Sequence, residues 1–417
     1  MEVTPAADAT RTGVPMSEEA AALAKEFAAW TLASPQLPDM CSVDLASGYL
    51  QCLLPAIRSV DKALAQKLVK RLLDDCFAAG EEDREGGAEA PRLPKVFDSM
   101  PSKRLLETTI EVASSKRYKQ LYGRLFEGRL ATLSLDRNAN FAVQKLLRRC
   151  REKDDFESMY AEISPKFMDI ITVGNTGVVL AVGETCERLA AKQNDFIVSL
   201  AKAFDCWEPE PRQNHFAVCV LRMKPYGEVT KSAAVESGDN VEDNNRTKPS
   251  VNIHGSLIVQ AMLRFKKPIK VINSLLSTDA NELCDILCDP KGSHVVDNYT
   301  TSEYVGEKSR ERLVNKLKGH YVRLACDRHG SRSFDSVWRR AGAGHRARIA
   351  AELSAREAAV TASEYGRIIA SKVALNEFRH KREVWTRMVA EGGRSGPEKT
   401  KDMFKDIVAG LEIKAEV

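Results

Sequence analysis

The chain has 417 residues, which is more than one compact domain usually needs, so it contains several domains or an array of repeats. Its 62 Lys and Arg residues against 58 Asp and Glu residues give a net charge of only +4. This balance by itself does not indicate a nucleic-acid partner, so any basic surface has to be local. The N-terminal sequence lacks the basic start and apolar core of a signal peptide, and no apolar run is long enough to span a membrane.

The ten cysteines are scattered without a paired framework. Cys284 and Cys288 are close together, but no second Cys/His pair follows at a spacing that suits zinc. We therefore expect buried, reduced thiols in a reducing compartment, with no metal and no cofactor.

In chain order, the sequence predicts three parts. Residues 1–40 are expected to form a flexible segment and a lead-in helix, residues 41–390 a helical repeat array, and residues 391–417 a C-terminal capping helix. An acidic insertion at about 79–96 and a polar loop at about 231–250 interrupt the array, because both stretches have the composition of surface loops.

The repeat is clearest in three segments that start at Gly128, Asn281 and Gly319. Each has two apolar residues three positions apart, then an Asp that opens a short turn, then a second amphipathic stretch. We call this turn-opening residue the anchor of the repeat. In chain order, the anchors of repeats 1 to 9 are Asp44, Ser99, Asp136, Val173, Pro211, Asn252, Asp289, Asp327 and Ser363.

Successive anchors are 55, 37, 37, 38, 41, 37, 38 and 36 residues apart, and the two long spacings coincide with the two predicted loops. A period near 37 is typical of helical solenoids, including arrays of the HEAT and armadillo type. Periodicity therefore predicts an all-α solenoid and does not by itself identify a ligand.

The start of the second helix of each repeat carries the candidate ligand residues. The side chains four, five and eight residues after the anchor, here called positions 4, 5 and 8, are predicted to be exposed, while positions 6 and 7 are mostly apolar and face the core. The candidate RNA-binding residues at these positions are Lys103, Arg104, Glu107, Asn140, Phe141, Gln144, Ser256, Gln260, Ser293, His294, Asp297, Ser331, Arg332, Asp335 and Arg367.

The residue types suit recognition of unpaired bases, because amides and carboxylates offer paired donors and acceptors and flat side chains offer stacking surfaces. Repeats 4 and 5 depart from the pattern, since Gly177, Val178 and Ala181 have no polar tip and Phe216 and Cys219 are poor base readers. A polar residue in the first turn of a helix is, on the other hand, often only a cap. Only the recurrence of the pattern at one register favours binding over capping.

Five segments of the sequence indicate a particular family of repeat proteins: SKRLLE at Ser102, NANFAVQKLL at Asn138, DPKGSHVVD at Asp289, DRHGSRSFD at Asp327 and EYGRIIASKV at Glu364. They resemble the nucleolar protein 9 family of divergent Pumilio-like (PUF) repeat proteins. The resemblance implies a right-handed α-helical superhelix that binds RNA on its concave face. In that family, positions 4 and 8 bind a base edge and position 5 stacks between bases.

The resemblance further implies a nuclear and nucleolar ribosome-biogenesis factor that binds precursor small-subunit ribosomal RNA, single-stranded or partly structured. Pre-ribosomal proteins are possible further partners, and the protein is expected to be monomeric and away from membranes. No phosphate loop, dinucleotide-binding, zinc-protease or serine-hydrolase motif is present, so we expect no enzyme.

The alternative is a protein-binding helical scaffold of the HEAT or armadillo type. RNA binding requires Lys and Arg beside flat side chains, whereas a scaffold presents apolar or acidic grooves. The candidate phosphate-contacting residues are Arg148, Arg149, Arg151, Lys266, Lys267, Lys270, Arg339 and Arg340.

Overall fold

A computed structural model describes residues 16–77, 93–236 and 250–390. This part of the chain consists of helices joined by short turns and contains no β-strand. It divides into two compact units, Met1–Val182 and Gly183–Val417.

The helices of the first unit, with the helix that crosses its boundary, are α1 (Glu18–Ala33), α2 (Leu37–Met40), α3 (Asp44–Val60), α4 (Lys62–Arg71), α5 (Met100–Val112), α6 (Ser115–Leu121), α7 (Leu130–Leu135), α8 (Asn140–Arg149), α9 (Lys153–Ile163), α10 (Phe167–Thr172) and α11 (Thr176–Leu189).

The helices of the second unit are α12 (Gln193–Ala203), α13 (Phe216–Arg222), α14 (Tyr226–Glu236), α15 (Ile253–Leu263), α16 (Ile269–Ser277), α17 (Ala280–Cys288), α18 (Ser293–Thr301), α19 (Glu307–Lys316), α20 (Tyr321–Cys326), α21 (Gly330–Arg340), α22 (Ala343–Ala355), α23 (Glu357–Ala362), α24 (Glu364–Lys372), α25 (Leu375–His380) and α26 (Arg382–Ala390).

Within residues 16–77, 93–236 and 250–390, five shorter segments have tighter or wider helical turns. Three are 3₁₀-helical, at Lys95–Phe97, Ser164–Lys166 and Glu210–His215, and two are π-helical, at Leu72–Phe77 and Tyr122–Phe126.

A complete repeat has a short first helix, a turn at the anchor, a second helix and a third helix. The second helices of the nine repeats are α3, α5, α8, α11, α13, α15, α18, α21 and α24. In the first unit α3, α5 and α8 pack side by side, and in the second unit α13, α15, α18, α21 and α24 do the same. The predicted all-α solenoid of repeats is therefore confirmed.

Positions 6 and 7 provide much of the core, as the sequence predicts. Ala142 and Val143 in α8 are fully buried, and so are Ile258 and Val259 in α15. Burying these apolar side chains between neighbouring repeats is the main source of the stability of such an array.

The anchors cap the turns before the second helices. The Asp136 Oδ1 atom accepts hydrogen bonds from the backbone N–H groups of Asn138 (2.8 Å) and Ala139 (2.6 Å). Asp289 and Asp327 repeat this arrangement, each through its Oδ1 atom. These three aspartates are thus turn and cap residues, as predicted.

A glycine follows the anchor where the preceding helix comes closest. A Cβ atom on Gly292 would lie 2.1 Å from the backbone oxygen of Ile286, and one on Gly366 would lie 2.1 Å from that of Val360. The contact leaves no room for a side chain, so glycine is required there for space rather than for backbone freedom.

The loops differ in extent from the prediction. Lys95–Phe97 is helical and Val96 is buried, so ordered structure begins before the expected end of the acidic insertion. Helix α14 runs to Glu236, so the predicted polar loop starts later than expected. The predicted capping helix at 391–417 lies outside the described residues.

Candidate nucleic-acid interface

Position 5 is exposed in most repeats. In the first unit this position holds Tyr49, Arg104 and Phe141, and half of the Phe141 side chain (51%) is exposed. In the second unit it holds Leu257, His294, Arg332 and Ile368, all exposed or half-buried. We call these side chains the stacking row of each unit.

Repeats 4 and 5 contribute no side chain to the stacking row of either unit. Val178 and Phe216 stand at position 5 there, and both are buried. The departure of these two repeats from the sequence pattern therefore reflects a different structural role for position 5.

Position 4 is mostly buried, so the prediction that it is exposed is wrong for four of the candidates. These are Lys103, Asn140, Ser256 and Ser293. Ser331 is half-buried and Arg367 is exposed. At Ser256 the next repeat contributes to the burial, because its Lys291 backbone oxygen accepts the hydroxyl.

The buried polar groups at position 4 bind the protein itself. The Asn140 Nδ2 group donates to the backbone oxygens of Asp136 (3.0 Å) and Arg137 (2.8 Å). The Ser256 hydroxyl donates to the backbone oxygen of Lys291 in the next repeat, at 2.7 Å. These contacts satisfy polar atoms that would be costly to bury alone.

Gln144, at position 8 of repeat 3, is also buried, with 9% of its surface exposed. Its Nε2 group donates to Asn140 Oδ1 at 2.9 Å. The amide lies against Gly177, where a Cβ atom would come within 2.7 Å of Nε2. The structure does bring Asn140 and Gln144 together, but they bind each other, and their predicted exposure is wrong.

In repeats 6, 7 and 8 position 8 is half-buried and contacts the following repeat. Asp297 Oδ2 accepts from Arg332 Nη2 (2.9 Å) and Nε (3.2 Å), and its Oδ1 accepts from Ser336. The pair joins the carboxylate of repeat 7 to the guanidinium in the stacking row of repeat 8. His294 Nδ1 lies 3.9 Å from the same carboxylate.

The other residues that bind position 8 side chains occupy the same position in the following repeat. Asn298 Nδ2 donates to Gln260 Oε1 at 2.9 Å, and Lys372 Nζ lies 2.5 Å from Asp335 Oδ2. Like Ser336, both partners stand nine residues after the anchor of the next repeat, which we call position 9. Sequence reasoning missed position 9, although polar residues recur there as Thr108, Lys145, Asn298, Ser336 and Lys372.

Glu107, at position 8 of repeat 2, is half-buried. Burial raises the pKa of its carboxyl above the ordinary value, the Lys145 ammonium opposes the shift and Glu111 adds to it. Lys145 itself ion-pairs with Glu111, so it only partly compensates Glu107.

The candidate phosphate-contacting residues lie at and just after the C-terminal ends of α8, α15 and α21, and in α16. Arg148, Arg151, Lys266, Lys267 and Arg340 are exposed. Cations at helix C-termini also interact favourably with the helix dipole, which is a structural reason for this placement. The other three candidates contact the protein: Arg149 donates to Ala113, Arg339 to Asp335 and Ser336, and Lys270 lies over the Trp207 ring.

Charge is concentrated in repeats 7 and 8. Residues 306–348 contain 12 Lys and Arg residues but only 4 Asp and Glu residues, a net charge of +8 against +4 for the whole chain. The net charge of the whole chain does not reveal this local excess of basic residues. The excess lies in the same repeats as His294 and Arg332.

Within the described ranges, no group of His, Cys, Asp and Glu side chains has the arrangement of a metal site. Over the same ranges, no helix combines the length and the apolar character that crossing a membrane requires.

Comparisons with known proteins agree with the repeat. Residues 9–368 match the family model described as NOP9-like PUF repeat domain. Nucleolar protein 9 of Mus musculus is 34% identical over 334 residues, covering 78% of this chain and 52% of that protein. Nucleolar protein 9 of Homo sapiens is 35% identical over 289 residues, covering 68% and 45%. The chain thus spans about half the length of these curated relatives.

Among solved structures, APUM23-GGAAUUGACGG has a TM-score of 0.68 at 21% identity, covering 89% of this chain and 69% of that one. Its form with the insert region deleted has a TM-score of 0.72, covering 92% and 72%. This likeness concerns the fold. The family match and the two nucleolar protein 9 relatives together place this chain in the NOP9-like PUF repeat family.

Proposed function

We propose that the chain binds single-stranded or partly structured RNA through the stacking row and the cations beside it, without catalysis. The observation that carries this proposal is the recurrence of an exposed side chain at position 5 on neighbouring second helices, in each unit. Bases stack on flat side chains with little regard to sequence, while Lys and Arg bind the phosphates.

The target we propose is precursor small-subunit ribosomal RNA, bound in the nucleolus during ribosome assembly, with pre-ribosomal proteins as further partners and the chain itself as a monomer. The name of the relatives, Nucleolar protein 9, supports the nucleolar location. The APUM23 structures, named with uracil-containing sequences, support RNA as the ligand.

We expect different roles at the three positions. Position 5 contacts bases directly, because it is exposed in most repeats. The buried polar groups at position 4 serve packing, because they bind backbone oxygens: Asn140 binds the turn of its own repeat, and Ser256 binds the next repeat. Position 8 contacts a base only after its present partner is displaced, so base selectivity in this protein depends on inter-repeat contacts.

Repeat 3 illustrates this dependence. Its Asn140 and Gln144 pair predicts a preference for uracil, following the family resemblance. Because the Gln144 amide donates to Asn140, the pair has to rearrange before both amides can meet one base. We therefore expect the free-energy difference between uracil and the other bases at this repeat to be smaller than the binding free energy that stacking on Phe141 contributes.

The direct test replaces Phe141 with Ala and measures affinity for one single-stranded RNA by filter binding. Loss of stacking should weaken binding by about 1–3 kcal/mol. Ile269→Ala is the matched control, because Ile269 is equally apolar and 63% exposed but lies on a third helix. Equal, unchanged affinity for both folded variants would refute a role for the stacking row.

A protein-binding scaffold is the second candidate, and helix α1 favours it. Leu23, Phe27 and Trp30 form an exposed apolar stripe with helical spacing, next to the face that buries Ala24 and Ala28. Glu26 is exposed beside the stripe. If Trp30→Glu abolishes association with proteins while Phe141→Ala leaves RNA binding intact, the scaffold function is the better account.

A further inference from the structure

Five repeats carry a polar side chain at position 9, and in four of them it is placed to act on position 8 of the repeat before it. The exception is Thr108, whose hydroxyl donates to the backbone oxygen of Arg104 in its own helix. The Asn298 amide donates a hydrogen bond to the Gln260 amide, and the Ser336 hydroxyl donates one to the Asp297 carboxylate. Lys372 forms an ion pair with Asp335. At Lys145 and Glu107 the influence is electrostatic. The same register thus recurs in both units.

The partners engage different atoms of position 8. Both carboxylate oxygens of Asp297 are occupied, Oδ2 by Arg332 and Oδ1 by Ser336. The Gln260 amide donates to Ser256 and accepts from Asn298. In Asp335, by contrast, Oδ2 binds Lys372, while Oδ1 is covered and has no hydrogen-bond partner within the described residues.

We propose that position 9 is a specificity-determining position, whose side chain sets the base preference of the preceding repeat by fixing which donor and acceptor atoms of position 8 remain for a base. The proposal rests on the RNA-binding function proposed above and extends it to residues outside the three-position pattern. Each position 9 side chain acts through position 8, so these are positioning residues.

The clearest consequence concerns Ser336. Replacing it with Ala removes the donor to Asp297 Oδ1, while Arg332 still holds Oδ2. The released oxygen becomes an acceptor for base N–H groups. Guanine presents two adjacent N–H donors on its Watson–Crick edge, so it gains most from the new acceptor.

The experiment selects RNAs from a pool of random sequence with the full chain and compares base frequencies at every position. Relative to the parent, Ser336→Ala should enrich guanine at one position by roughly two- to tenfold, the equivalent of one hydrogen bond. The conservative Ser336→Thr variant keeps a hydroxyl and should restore the parent profile.

Ser333→Ala is the matched structural control. Ser333 lies on the same helix, and its hydroxyl also crosses to the preceding repeat, but it donates to the backbone oxygen of Leu287 at 2.8 Å. Its loss should lower the melting temperature without changing the selected sequences. If Ser336→Ala does not fold, Asn298→Ala provides the same test at repeat 6, because it removes the donor to Gln260 Oε1 and should change the base selected there.

The two proposals fail in different ways. If the parent chain selects no RNA, the RNA-binding function itself is refuted, and the role of position 9 with it. If the parent selects RNA but the folded Ser336→Ala and Asn298→Ala variants select the same sequences, position 9 is only structural and this inference is overturned.

Discussion

At the scale of single residues, the same polar side chain serves either packing or recognition, and its neighbours decide which. The sequence predicts where Asn140 and Ser256 lie on their helices, because position 4 follows from the register. Whether they are exposed is not predictable from that register, because the covering groups come from the next repeat, as Lys291 does for Ser256. Position 5 was predicted correctly in most repeats because it points away from the neighbouring second helices.

Space at the turn gives a first prediction. Gly292→Ala should destabilise the protein by about 1–3 kcal/mol, since the new Cβ atom would overlap the backbone oxygen of Ile286. Gly344→Ala should instead stabilise it by about 0.5–1 kcal/mol, because a Cβ atom there meets nothing within 4 Å and alanine favours a helix. Denaturant unfolding followed by circular dichroism compares the two, and equal effects would contradict the close approach.

The raised pKa of Glu107 gives a second prediction. Because burial favours the neutral carboxyl, its contribution to stability is present at low pH and is lost as the pH rises through the folded-state pKa. Glu107→Gln should therefore raise the melting temperature at about pH 7 and change it little at about pH 4. A melting temperature lowered by this substitution at neutral pH would show that Lys145 compensates the charge fully.

At the scale of helices and turns, the sequence predicts regular features better than irregular ones. The apolar spacing and the Asp anchors predict α7 and α8 around Asp136, because both signals are local. The π-helical segments Leu72–Phe77 and Tyr122–Phe126 carry no such signal, since they depend on how the third helices pack. The 3₁₀ segment Glu210–His215 likewise replaces the regular anchor turn of repeat 5, since it contains the anchor Pro211.

The anchor turn gives a third prediction. Asp136→Ala removes the acceptor for two backbone N–H groups and should cost about 1 kcal/mol, the usual effect of losing a helix cap. Asp136→Asn keeps an acceptor oxygen and should cost less. Thermal unfolding of both variants tests this order, and a larger loss for the Asn variant would show that the charge matters more than the hydrogen bonds.

At the scale of the whole molecule, the fold class was predictable because the repeat period is a property of the chain itself. The concentration of charge was not apparent from the overall balance, since the excess in residues 306–348 is offset elsewhere. The candidate interface is therefore best predicted where repetition and local charge coincide, in repeats 7 and 8.

Salt dependence gives a fourth prediction. RNA affinity should fall steeply as salt rises, and Arg340→Gln should reduce the slope of log affinity against log salt by about 1, the effect of one phosphate contact. Lys67→Gln is the charge-matched control, because Lys67 is exposed on a third helix. The same slope in both variants would show that the end of α21 does not contact phosphate.

Ultraviolet crosslinking of the full chain to a single-stranded RNA, with the crosslinked peptides identified by mass spectrometry, tests most directly whether RNA lies on the stacking row. Crosslinks should concentrate at Tyr49, Arg104, Phe141, His294 and Arg332, the flat side chains at position 5. Crosslinks confined to α1 or to the third helices at saturating RNA would contradict the proposed interface.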